Sequence, residues 1–440
     1  MKKILMTAAL GLAGLSLWAA EITLTADLVS PVLKAGEKQT TWLKVGLKGF
    51  EWAAGNRTPA ALNVALVLDR SGSMEGQKLD RAKEAAKMAV RRLSDRDILS
   101  IVTFESEVQV LLPATRVTDK KSILALIDGI ESDGSTALFG GVSRGAAEVR
   151  KFLTRNGVNR IILLSDGMAN VGPDSPSALG DLGSGLRREG ISVSTIGLGL
   201  DYNEDLMTRL AQTSDGNHAF VQEPRDLARI FDLEFDDALA VVARDLKLTL
   251  DFQGGSMPLR ILNRPGEVTG RSVSLDLAQL ASGQEKYFLF EVEVPSLASG
   301  KTVDLVSVRT SYGNLATGKP GLQTVKASVS GSSDPQAVKR SMRPDVAEAV
   351  GIQQSVEAGQ RALDLKDKGD AEAARKVLEE SAADLSALGR ALPAPSAAVQ
   401  AAAEKANEDA SAIADDTKDY NQLRKSMKAD QFSSQNQQRY

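Results

Sequence analysis

Asp69, Ser71 and Ser73 stand at alternate positions of the segment Asp-Arg-Ser-Gly-Ser that closes the apolar run 62–68. One carboxylate and two hydroxyls are hard oxygen donors, the kind of set a small divalent cation takes. Two later segments could complete it. Thr136 sits in the turn Gly134-Ser-Thr-Ala, and Asp166 follows the run 160–165 and precedes Gly167. Local hydrogen bonding in turns also favours Asp and Ser, so the first segment alone is a weak signal. Three separated segments, each at the end of a strand-like run, make a stronger one.

Donors from three segments can meet only if three strands end at one sheet edge, and the chain has the pattern for that. From about residue 60 to 243, apolar runs alternate with amphipathic helices, which implies a parallel sheet covered on both faces. Over 78–93, Leu79, Ala82, Ala86, Val90 and Leu93 share one helical face with charges opposite. Residues 97–104 and 108–112 read as a hairpin. Segments 122–130, 138–153, 177–189, 203–212 and 226–242 read as helices, and 160–165, 192–198 and 219–221 as strands. Ligands of such folds bind outside the carboxyl ends of the strands.

The order DxSxS, a distant Thr, then a strand ending Ser165-Asp-Gly resembles the von Willebrand factor A family and its metal-ion-dependent adhesion site. Gly197-Leu-Gly199 and Ser214-Asp-Gly216 extend the resemblance, which covers 59–243. It implies an α/β, doubly wound, Rossmann-like domain with a parallel central sheet. It also implies a metal held by Asp69, Ser71, Ser73, Thr136 and Asp166. The hydroxyls would bind directly and the aspartates largely through water. One coordination position would stay open for a Glu or Asp carboxylate of a protein partner. So few carboxylates suit Mg2+; Mn2+ would fit as well, and Ca2+ is a third candidate.

The flanks differ. Residues 21–58 hold alternating strand-like pieces, with a linker at 55–59. Segments 246–252, 272–277, 287–294 and 303–310 alternate apolar and polar residues between turns, as an antiparallel β-sandwich over 244–332 would. The N-terminal strands flank the same domain and could join that sandwich, which would make the A domain an insertion. This layout resembles bacterial relatives of the inter-alpha-trypsin inhibitor heavy chains. Residues 335–425 read as a helical region with helices at 346–365, 369–388 and 397–423, broken at Lys368-Gly-Asp370. One stretch, 369–378, faintly resembles a tetratricopeptide hairpin, and one copy cannot make a solenoid. The polar stretch 426–440 is expected to be a disordered tail.

The chain has 440 residues, a net charge of −4, no cysteine and one histidine. Nothing basic or aromatic suggests nucleic-acid binding, and thiol chemistry is excluded. Lys2, Lys3, an apolar run to Trp18 and Ala19-Ala20 read as a signal peptide over 1–20, implying export to the periplasm or beyond a bacterial cell. Membrane contact is expected only if that segment stays uncleaved as an anchor.

The function these features imply is an exported cell-envelope binding, adhesion or scaffold protein and not an enzyme, with no catalytic residues. The alternative is a metal-dependent enzyme or enzyme-associated subunit whose A domain recruits substrate. A conventional Ser/His/Asp hydrolase would have to use His218, yet no nucleophile elbow or phosphate loop accompanies it, and metal-assisted hydrolysis would need a general base near Asp166, where none is evident. Asp201, Glu204 and Asp205 read either as a second cation site or as acids favoured at a helix amino end. Asp133 could orient a metal-bound water or merely serve its turn.

Overall fold

The computed structural model describes residues 21–51, 60–154, 157–264, 266–415 and 417–438. The expected leader and the 55–59 linker lie outside these. Among the described residues, no helix is long and apolar enough to cross a membrane.

The chain opens with β1 (Thr23–Leu28), β2 (Val32–Lys34) and β3 (Gln39–Lys48). The α/β unit follows: β4 (Ala61–Asp69), α1 (Gln77–Arg92), β5 (Ile98–Phe104), β6 (Val108–Arg116), α2 (Lys120–Asp128), α3 (Leu138–Arg150), β7 (Gly157–Ser165), α4 (Pro176–Arg188), β8 (Ile191–Leu198), α5 (Glu204–Ser214), β9 (His218–Val221) and α6 (Leu227–Leu239). Its six strands lie in the order β6-β5-β4-β7-β8-β9, parallel except for the β5–β6 hairpin. After β4 the chain builds outward on one side, then returns to β7 on the other. The crevice between β4 and β7 is therefore the topological switch point.

The continuous apolar runs are explained by burial on both faces. Leu62, Val64, Leu66 and Leu68 pack in one core with residues of α1, α2 and α6. Ala65, Val67, Ile161 and Leu163 pack in a second with α3, α4 and α5. In α3, a Cβ at Gly145 would stand 2.6 Å from Val67, so only glycine lets this helix lie so close to β4. Side-chain caps fix where helices begin: Ser175 receives Ala178 N with Pro176 in the first turn, and Asn203 receives Asp205 N and Leu206 N.

Next come β10 (Val241–Phe252), β11 (Met257–Ile261), β12 (Glu267–Thr269), β13 (Ser272–Ala281), β14 (Glu285–Val294), β15 (Thr302–Asn314) and β16 (Pro320–Ser332). They form two sheets, β1-β3-β14-β11 and β12-β13-β10-β15-β16-β2. Leu43, Val45, Leu47, Phe288, Phe290 and Val292 meet Leu246, Leu248, Leu250, Val306 and Val308 between them. β3 pairs antiparallel with β14 from Gln39↔Val294 to Lys48↔Glu285. The α/β unit thus interrupts the sandwich, entering after β3 and leaving before β10. β10 begins at Val241, inside the stretch expected to be helix.

The remainder is α7 (Pro335–Arg340), α8 (Pro344–Asp367), α9 (Ala371–Ala391), α10 (Ala397–Ile413) and α11 (Tyr420–Asn436). Two expectations are corrected here. The segment 397–423 is two helices, because Asp419 caps a new one through Asn421 N and Gln422 N. The tail expected to be disordered from 426 is helix through Asn436, ordered by contacts the sequence does not display. Phe432 and Met427 are buried, and Gln438 exchanges two hydrogen bonds with the backbone of His218 on edge strand β9.

Candidate metal site

β4 and β7 run side by side and deliver Asp69 and Asp166 to the same sheet edge. Both carboxyl groups are fully buried. Asp69 accepts from its neighbour Ser71 N at 2.8 Å and from Ser165 Oγ at the end of β7. Burial pushes its carboxyl up to about 6, against the opposing pull of those hydrogen bonds, because a desolvated carboxylate without a counter-charge is costly. Ser71 Oγ lies 3.1 Å from Ser73 Oγ, which donates to Asp166 Oδ1 at 2.7 Å.

Three loops are bound into one rim. Gly72 N donates to Gly134 O at 3.1 Å and Asp133 N to Arg70 O at 2.8 Å, holding the Thr136 turn against the first loop. Asn170 Oδ1 accepts from Thr136 N at 2.8 Å, and Asn170 N returns a bond to Thr136 O, tying in the loop after β7. A Cβ at Gly167 would lie 3.0 Å from Thr136 Oγ1 and 3.5 Å from Ser73 Oγ. The space between these hydroxyls exists because residue 167 has no side chain.

The donor set fits a dication. With bonds of about 2.0–2.1 Å, neighbouring oxygens of a Mg2+ octahedron lie roughly 2.9 Å apart. The Ser71–Ser73 and Ser73–Asp166 separations bracket that value. Among the described residues no cluster of three or more His, Cys, Asp or Glu could hold a metal. A cation here would therefore depend on the neutral hydroxyls, which add geometry without charge.

Sequence reasoning missed four contributors. Asn170 ties two loops; Arg70 pairs with Glu105 at 3.2 Å across the first of them. Lys78, in the first turn of α1, places Nζ against Asp166 Oδ2 and 3.9 Å from Asp201 Oδ2. A cation at a helix amino end opposes the dipole, and that misplacement was the available signal. For Asn170, Arg70 and Glu105 no spacing rule gives one.

The remaining candidates separate. Asp133 is exposed and accepts from Gly134 N, a turn interaction. Asp201 stays at the rim. Glu204 and Asp205 occupy the first turn of α5 and pair with Arg424, Lys425 and Lys428 of α11, away from a second cation site. His218 is buried, with Nδ1 2.9 Å from Thr195 Oγ1 and its ring edge-on to Phe432. Burial, reinforced by nearby Lys425, lowers its pKa to about 3, so it is a packed neutral histidine.

Comparison with known proteins agrees with this architecture. A sequence model described as the von Willebrand factor type A domain matches residues 63–232. An uncharacterized Escherichia coli protein, YfbK, is 28% identical over 283 residues, covering 64% of this chain and 47% of YfbK. Human inter-alpha-trypsin inhibitor heavy chain H2 is 30% identical over 182 residues, 39% of this chain and 19% of its own length. The chain spans less than two thirds of the length of the curated relatives it matches first. The solved von Willebrand factor type A protein from Catenulispora acidiphila superposes with a TM-score of 0.70 at 18% identity, over 84% of this chain and 87% of that one. The chain carries a von Willebrand factor type A domain, set among β-sandwich strands and followed by a helical region.

Proposed function

We propose that this protein is an exported, non-enzymatic binding or scaffold protein of the cell envelope. Its A domain would recognise a Glu or Asp of a protein partner through Mg2+ held by Asp69, Ser71, Ser73, Thr136 and Asp166. The observation carrying this reading is the meeting of those donors at the switch point with only two carboxylates among them. The metal would supply a positive centre that keeps enough Lewis acidity to take one further carboxylate.

The chain's own residues account for the rest. Asp69 and Asp166 offset part of the dication's charge. Ser71, Ser73 and Thr136 fix its place, and the Asn170 and Gly72 backbone ties hold those hydroxyls in register. The buried neutral state of His218 and its distance in the fold from the cluster support a binding role over a hydrolytic one. The amino-terminal lysines and apolar run support export.

The test is a pull-down from envelope extract with the mature chain, in Mg2+ and in EDTA, with Asp69→Ala alongside. A protein retained only by the wild type in Mg2+ is expected. Retention that ignores both EDTA and the substitution would move the binding role to the sandwich or the helices.

A further inference from the structure

Lys78 is the one cationic side chain that touches the candidate metal cluster among the described residues. Its Nζ rests on Asp166 Oδ2, the oxygen not used by Ser73, which sits on Oδ1. The same Nζ lies 3.9 Å from Asp201 Oδ2, and Asp201 is 75% exposed at the rim. Its partner at the cluster is fully buried, whereas Lys78 itself is 26% exposed and reaches in from the first turn of α1.

From this arrangement we propose that Lys78 is a resident counter-cation that competes with the metal for Asp166, with Asp201 as the acceptor that takes it when it gives way. The inference rests on the metal-binding reading above and deepens it.

The physical case has three parts. A buried carboxylate is stabilised by a positive partner, and Lys78 is the group that supplies it to Asp166. Among the described residues Asp69 meets no cation; it accepts from Ser71 N and Ser165 Oγ. Second, a dication drawn to Asp166 meets an ammonium on the same carboxylate. The repulsion is released only if the ammonium moves or the metal binds more weakly. Third, lysine has a long flexible stem and a compact charge. Gly199, on the loop that carries Asp201, flanks the lysine stem: a Cβ there would stand in ordinary contact, 3.7 Å, with Lys78 Cε and Nζ. A short rotation of the stem exchanges the buried carboxylate for the exposed one.

The consequence is a site of deliberately moderate affinity. Metal can enter and leave, and the charge released to Asp201 stays at the rim next to the place where a partner's carboxylate would dock.

The test is calorimetric titration of the full mature chain with MnCl2 and with MgCl2 for wild type, Lys78→Met, Lys78→Arg and Asp201→Asn, with melting in EDTA recorded for each. Lys78→Met is expected to bind metal about tenfold more tightly, which corresponds to about 1.4 kcal/mol. Lys78→Arg should bind like the wild type, and Asp201→Asn several-fold more weakly. Melting in EDTA should fall for Lys78→Met, since Asp166 loses its partner, and should hold for Asp201→Asn. A merely structural lysine would lower the melting temperature without tightening metal binding. Equal or weaker binding by Lys78→Met, with wild type still binding, overturns the inference and leaves the metal reading standing. Absence of binding by wild type and every variant overturns both.

Discussion

At the amino ends of β7, β8 and β9, where the A domain rests on the sandwich, charge is buried and paired. Arg160 lies 3.3 Å from Glu234, and Asn217 donates to Glu234 and Asp237. Asp215, at the left-handed cap of α5, takes Arg264 at 2.8 Å and the backbone of Ala278 from the sandwich. Burial alone would raise the Asp215 carboxyl, yet Arg264 and Lys286 hold it below the usual range. At the carboxyl ends of β4 and β7 the pairing is incomplete, because Lys78 meets Asp166 but not Asp69. Asp69 is buried with hydroxyl and amide donors only, and its carboxyl titrates high. One end of the sheet supplies its own cations and fixes two bodies together. The other is left short of positive charge. A buried pair is set during folding, whereas a buried carboxylate without a cation would be stabilised by gaining one.

The contrast can be broken at either end. Arg264→Ala strands Asp215 in the junction and is expected to cost roughly 3–5 kcal/mol, read by urea denaturation, with the loss equal in Mg2+ and EDTA. Asp69→Ala should behave the other way. The wild type gains about 2.7 kcal/mol when metal stands at a hundred times its Kd, and the variant should gain nothing while matching or exceeding wild-type stability in EDTA.

Gly167→Ala sharpens the picture. Its Cβ would crowd Thr136 Oγ1 at 3.0 Å, so metal affinity should drop by about tenfold, worth about 1.4 kcal/mol, with little change in EDTA melting. The smallest effect belongs to His218. Unfolded, it takes a proton below about 6.5; folded, it stays neutral until about 3. The stability from keeping it neutral is complete above 6.5 and declines as pH falls towards 3. His218→Gln should lose part of that decline, seen as a wild-type-minus-variant difference in melting temperature that shrinks from pH 7 to 5.

Much of this was legible in the residues. Alternation of apolar runs with amphipathic helices marks the parallel sheet, because strands buried on both faces must be apolar throughout. The spacing of Asp69, Ser71 and Ser73 and the Ser-Asp-Gly ending of β7 point to one edge. The β-sandwich is visible in period-two alternation such as Val273, Leu275 and Leu277. What escaped was long-range. Polar residues such as Arg424, Lys425 and Gln438 look like a solvated face until their partners on α5 and β9 are known. The break between the alanine-rich α10 and the polar α11 escaped because no proline or glycine marks it. Lys78 alone left a local trace, as a cation at the wrong end of a helix.

The most direct measurement is an anomalous-difference map from crystals of residues 21–440 grown in Mn2+. One peak should stand within bonding distance of Ser71 Oγ and Ser73 Oγ, between the ends of β4 and β7, and Asp69→Ala crystals grown the same way should lack it. A wild-type map with no peak there, or a peak that survives the substitution unchanged, would contradict the assignment of this edge as the metal site.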